Sequence, residues 1–198
     1  MVLDIGPGSG TQIRHFDSVV NSISKAYCIE PSIDLHPLLR KNIASTGLGR
    51  EGKCEALVAD ATGPSIAREL KHVGVIDDVE DASEIFDTIV TIRVLCSVPD
   101  LNATIADLWK LLKPGGKMLV LEHTANPWNT PQGSMIARFM QSFYMLMGWS
   151  YFVGDCRLNR DIEGALRADP KRWEKVDISR NFGESVFCYI AGTLVKRH

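Results

Sequence analysis

Acidic residues recur where apolar runs end. Asp4 follows Val2-Leu3, Glu30 follows Cys28-Ile29, and Asp60 follows Val58-Ala59. Asp4 opens onto Gly6-Pro7-Gly8-Ser9-Gly10, a turn stripped of side chains at alternate positions so that a ligand can lie against backbone. Glu30 comes about twenty residues later, the spacing of an acceptor for ribose hydroxyls in a βαβ nucleoside site, and Pro31 follows it. Asp60 and Ala61 are placed to meet an adenine amino group. Further along, Ile92-Arg93-Val94-Leu95-Cys96-Ser97 and Glu122-His123 close two more apolar runs, and His123 is the candidate base.

The glycine turn distinguishes two cofactor classes. A dinucleotide fingerprint reads Gly-x-Gly-x-x-Gly and rests a pyrophosphate on a helix N-terminus. Here the third glycine comes one residue early, and Asp4 would repel a pyrophosphate. S-adenosylmethionine carries no phosphate, and an acid suits its ammonium group. The turn therefore favours a methyl donor.

These residues need a scaffold that gathers strand ends. Apolar runs at 2–5, 26–29, 54–59, 86–92 and 117–122 predict strands, and 12–24, 35–46, 65–72 and 102–112 predict helices between them. Lys113-Pro114-Gly115-Gly116 predicts a turn. Residues 173–178 and 185–196 predict an antiparallel closing pair. The alternation implies an α/β, doubly wound, mostly parallel sheet of Rossmann-like type with an antiparallel closing strand, whose ligand lies over the strand carboxyl ends. The chain reads as one domain over 1–198: a cofactor half (1–123), a lid or substrate insertion (124–160), and a closing helix with strands (161–198).

The insertion contains a stripe, Met135, Ile136, Phe139, Met140, Phe143, Met147 and Trp149, within an expected helix over 133–152. Core packing, a substrate wall and an interfacial membrane contact all fit such a stripe.

Composition narrows the function. A net charge of −2 argues against nucleic acid as partner, and a small molecule is expected instead. Five scattered cysteines without a Cys-x-x-Cys suggest a reducing compartment and no metal; Cys96 and Cys156 are read as space-filling. No apolar run reaches the roughly 18 residues of a membrane span. A cytoplasmic location is expected, with peripheral membrane contact left open, as is oligomeric state.

Asp4 to Gly10, Glu30, Asp60, Phe86-Asp87 and Leu111 to Lys117 together resemble the ordered motifs of class I S-adenosylmethionine-dependent methyltransferases. Cys28-Ile29-Glu30-Pro31, Val94 to Val98, Leu121-Glu122-His123 and Gly154-Asp155-Cys156-Arg157-Leu158-Asn159-Arg160 narrow this to a subgroup that includes the microsomal alkyl-thiol S-methyltransferases. The resemblance implies S-adenosyl-L-methionine at Asp4, Gly6, Gly8, Gly10, Glu30, Pro31, Asp60, Ala61, Ile92 and Arg93. It implies methyl transfer to a small, fairly apolar acceptor, a thiol first, with a phenolic, quinone or secondary-metabolite O- or C-acceptor as alternative. A non-catalytic binding module is the reading from another class. Phe139, Phe143, Asp155 and Arg160 are the expected substrate contacts. Relatives carry helices ahead of the first strand and a membrane anchor, so the expectation is a chain cut at its N-terminus. Restoring roughly 30–50 upstream residues, enough for two helices, would then raise affinity and turnover.

Overall fold

Seven strands form one sheet in the order β3-β2-β1-β4-β5-β7-β6. The computed structural model describes all 198 residues. β1 (Val2–Ile5), β2 (Ala26–Ile29), β3 (Cys54–Leu57), β4 (Phe86–Ile92) and β5 (Leu112–His123) are mutually parallel, while β7 (Tyr189–Lys196) runs antiparallel to both β5 and β6 (Trp173–Asn181). The order reverses direction at β1, whose neighbours are β2 and β4. That is where an open α/β sheet leaves a crevice at its strand ends.

β1 and β2 are fully buried, and apart from Asp4 they carry only apolar and aromatic or thiol side chains. The main core packs Leu3, Ile5, Phe86 and Ile89 of the sheet against Ile66 and Leu70 of α3 (Gly63–His72) and Ile105 and Leu108 of α4 (Leu101–Leu111). On the opposite side, Ile13, Leu39 and Ile43 pack with Cys28 beneath α1 (His36–Ser45). A four-residue helix, α2 (Gly47–Arg50), follows.

Three elements differ from the expectation. Residues Ile13–Ser22 form a 3-10 segment kinked at Val19. It has no side-chain cap and no acid in its first turn, and β-branched Val19 and Val20 are poor helix formers. Only Ile13 is buried within it, and Val19 faces solvent. Lys113 to Gly116 is not a separate turn but a bulge inside β5. Phe86 pairs with Leu112 and Thr88 with Lys117, and Gly115 takes φ +72°. The helix expected over 133–152 is divided into α5 (Met135–Leu146) and α6 (Trp149–Phe152) at Gly148, which is left-handed at φ +86°. A last helix, α7 (Ile162–Arg167), precedes β6.

Candidate active site

A cavity of about 500 Å³ opens at the carboxyl ends of β1, β4 and β5. One wall is the glycine turn, through Gly6, Pro7, Gly8 and Ser9, with Gln12 beside it. The other is Ile92, Arg93, Cys96 and Ser97 after β4, His123 at the end of β5, and Gly154 and Cys156 after α6. A depression of about 550 Å³ lies elsewhere, among Gln132, Glu163, Arg180 and Glu184, and holds none of the strand-end residues. It is lined by a single apolar side chain, Ile178.

On the glycine wall, space is reserved for a ligand. Gly8 has φ +58°, and no heavy atom stands within 4 Å of where a Cβ would project. Gly6, at φ +62°, is tight instead: its Cβ would meet Val94 Cγ2 at 2.5 Å. Glu30 braces the turn, accepting from the Gly8 amide at 2.9 Å through Oε2 and from the Ser32 amide at 2.9 Å through Oε1. Each oxygen keeps acceptor capacity after those bonds. His36 Nε2 donates to the Glu30 carbonyl at 2.9 Å and fixes the backbone there. Asp4 is fully buried, with Oδ1 unpartnered and Oδ2 accepting from Gln12 Nε2 at 3.4 Å. Burial lifts its carboxyl to about 7 against the weaker pull of Gln12.

The opposite wall is built of sulfur and imidazole. His123 Nδ1 lies 3.4 Å from Cys156 Sγ, and Nε2 lies 2.7 Å from the Tyr189 hydroxyl, its cross-strand neighbour on β7. Both ring nitrogens are therefore engaged by the protein. Cys96 faces the same cluster; its thiol holds Cys156 well below the usual thiol range, with His123 adding to the effect, while Cys96 itself is pushed up. Glu122 accepts from the Val94 and Leu95 amides, both at 3.2 Å, and so shapes the loop after β4. Burial raises its carboxyl to about 8. Arg93, which turns that loop, sits at φ +57° without being glycine, a local strain on the cavity wall.

A family model described as a methyltransferase domain matches residues 1–163. The chain belongs to the methyltransferase domain family. The thiol S-methyltransferase TMT1B of Rattus norvegicus is 22% identical over 160 residues, 81% of this chain and 55% of the rat protein. A stretch of 82 residues, 38% of this chain, is 35% identical to 3% of the highly reducing polyketide synthase stpks1 of Strobilurus tenacellus. The chain thus spans only part, at most about half, of these two relatives. A solved S-adenosylmethionine-dependent methyltransferase from Methanosarcina mazei aligns with TM-score 0.61 and 18% identity, covering 99% of this chain and 92% of that one. The [4+2]-cyclase SpnF aligns with TM-score 0.64 and 14% identity over 99% of this chain and 75% of its own. Such likenesses show the fold, which hosts more than one reaction.

The cofactor of this methyltransferase is S-adenosyl-L-methionine, and the glycine wall fits it. Gly8 leaves the space a ligand needs, Glu30 retains acceptor sites, and the orphaned oxygen of Asp4 lies buried just before the turn. Ile92 and Arg93 share that cavity. Gly10 does not line it; it packs the turn onto Leu39. Asp4 and Glu30 stand behind the glycine turn rather than on the cavity wall, and Pro31, Asp60 and Ala61 also lie off that wall, Asp60 exposed and accepting from the Thr62 amide at 3.0 Å.

The expected substrate contacts are not brought together. Phe139 and Phe143 point outward, 68% and 42% exposed, because α5 turns Ala137, Gln141, Tyr144 and Met145 toward the protein instead. At its centre Gln141 Oε1 accepts from the Asn126 amide at 2.8 Å, while Nε2 donates to the Thr124 and Val186 carbonyls at 3.2 and 2.9 Å. Of the Met and aromatic stripe, Met135, Ile136, Phe139, Phe143 and Met147 are exposed, whereas Trp149 packs against the main core. Arg160 donates to the Leu95 and Val98 carbonyls and clamps the loop after β4 rather than facing the cavity. Asp155 is exposed at φ +58° between two cavity residues without lining it. Sequence reasoning missed Gln141, Tyr189 and His36 in these roles; no spacing announces them, since each acts through a partner remote in sequence.

Gln141→Leu should lower unfolding free energy by roughly 2–4 kcal/mol, because it strands buried backbone groups that lose their partners. Denaturant midpoints of parent and variant measure this; equal midpoints would show that α5 is not held by Gln141.

Proposed function

We propose that this methyltransferase acts on a small, fairly apolar thiol. The observation that carries the reading is the wall formed by Cys96, His123 and Cys156, which lines the same cavity as the glycine turn. A thiol acceptor must shed its proton to become a nucleophile; the donor's own sulfonium supplies the positive charge that favours this, and a wall of sulfur and imidazole suits a soft, apolar acceptor. The likeness to the rat thiol S-methyltransferase, though only 22%, points the same way.

When bound, S-adenosylmethionine supplies an already activated methyl group at its sulfonium. The chain supplies position and exclusion of water. Gly8 gives the donor room, and Glu30, bonded to the Gly8 amide, would accept from the donor's ribose hydroxyls. Ile92 and Arg93 belong to the wall that faces the glycine turn. His123, tied at both nitrogens, orients Cys156 rather than reaching the acceptor itself. The short stretch of polyketide synthase likeness favours a second reading, O- or C-methylation of a phenolic or other secondary metabolite.

Incubation with a labelled methyl donor and a panel of alkyl thiols, phenols and quinones tests this. Thiols should be methylated with kcat/KM at least about tenfold above any phenol, a gap of about 1.4 kcal/mol in barrier. Phenols or quinones labelled in preference to every thiol would overturn the thiol reading and leave methyl transfer standing.

A further inference from the structure

Cys96, His123 and Cys156 come from three separate elements: the loop after β4, the end of β5, and the segment after α6. Their ligand atoms all lie within 4.8 Å of one another, and none of the three residues is more than 9% exposed. One pair, His123 Nδ1 and Cys156 Sγ, is 3.4 Å apart. Zinc at about 2.3 Å from sulfur and 2.0–2.1 Å from nitrogen places neighbouring tetrahedral ligands roughly 3.5–3.8 Å apart. The cluster therefore needs only a small closure to hold such an ion.

We propose that these three side chains form a zinc site with one coordination position open to the cavity. Two thiolates and one imidazole are the donor set a soft divalent ion prefers, and three protein ligands with an open fourth position are the mark of a catalytic rather than a structural site. The surroundings are built for it. His123 turns Nδ1 to the cluster because Nε2 is bonded to the Tyr189 hydroxyl, the outer-shell bond that orients a metal-ligating imidazole. The Arg157 amide donates to the Cys96 carbonyl at 3.0 Å, and Arg160 bonds the Leu95 and Val98 carbonyls, so the segments bearing the two cysteines are locked together.

The ion's use rests on the thiol reading. An acceptor R–SH would take the open position as thiolate, its proton leaving to water in the cavity. Its sulfur would then form a bond to the methyl carbon as the donor's sulfonium–methyl bond breaks, that electron pair staying on the donor sulfur. The products are a thioether and S-adenosylhomocysteine, with no redox change.

The test needs neither donor nor acceptor, so it stands apart from the acceptor panel. The full chain, kept reduced, is dialysed against micromolar zinc and its retained metal is measured. One zinc per chain is expected, with cobalt substitution giving thiolate-to-cobalt charge-transfer bands. Cys96→Ser and Cys156→Ser should each weaken zinc binding by at least about 100-fold and lower those bands. Tyr189→Phe should weaken it by about 10–100-fold. Cys54→Ser, which breaks the separate thiol pair with Cys28, should change nothing. A parent chain that retains no zinc and shows no charge-transfer band overturns the site, whatever the variants do. So does full retention by both cysteine variants.

Discussion

Glu30→Ala should weaken S-adenosylmethionine binding by about 5- to 150-fold, the roughly 1–3 kcal/mol scale of charge-assisted hydrogen bonds. Two losses add. The donor forfeits the acceptor expected for its ribose hydroxyls, and the Gly8 and Ser32 amides lose the carboxylate that braces the turn. Glu30→Gln keeps one oxygen acceptor and should fall between parent and alanine variant. Calorimetric titration reads the affinity, and thermal unfolding without donor reads the brace separately. An alanine variant with parental affinity but lowered stability would leave Glu30 a purely structural brace.

Asp4→Asn should change stability in a pH-dependent way, with little effect near pH 4 and a gain of roughly 3–5 kcal/mol over the parent by pH 8, at about 1.4 kcal/mol for each unit of displaced pKa. Burial raises the Asp4 carboxyl from 3.8 to about 7 in the folded chain. Between those values the unfolded chain has released the proton and the folded chain retains it. Unfolding then releases a proton, so the parent loses stability as pH rises through that window and levels off above about 7. Asparagine cannot ionise and escapes the loss. Glu122, raised from 4.5 to about 8, follows the same sign, whereas Cys156, depressed, follows the opposite one; comparing parent with variant isolates Asp4. A cationic donor near Asp4 favours its carboxylate form, so donor affinity should climb as pH passes about 7 in the parent and stay flat in Asp4→Asn. Denaturant titrations at pH 4, 6 and 8 decide the first part; a constant difference between parent and variant would remove Asp4 as a buried, titrating acid.

The central strands and the glycine wall were legible because each rests on a local rule. A mostly apolar run makes a central strand, and Phe86–Ile92 is such a run, with Ile89, Val90 and Thr91 buried and Asp87 exposed at its start. A glycine in the left-handed region marks a turn wherever it falls. The orientation of α5 was not legible. Periodicity shows that a helix has two faces but not which one meets the protein, and a single buried glutamine with three backbone partners outweighed an apolar stripe. The sulfur–imidazole cluster was hidden for another reason: its members stand 27 and 33 residues apart and meet only through the strand order. The 3-10 segment at 13–22 shows an amphipathic pattern failing as an α-helix where caps and good helix formers are missing.

The position of β7 inside β6 has a consequence for how the molecule comes into being. β6 pairs with nothing but β7, and β7 is made after it. During synthesis β6 must therefore wait, unpaired, beside a sheet whose β5 edge is also bare, until the next strand emerges and inserts between them. At a ribosomal pace of about 5–20 residues per second that interval lasts on the order of a second or more. Two open strand edges over such a time invite pairing with a neighbouring nascent chain. The partner-less interval, rather than the finished enzyme, is the stage at which this chain is most exposed to aggregation and most dependent on chaperones.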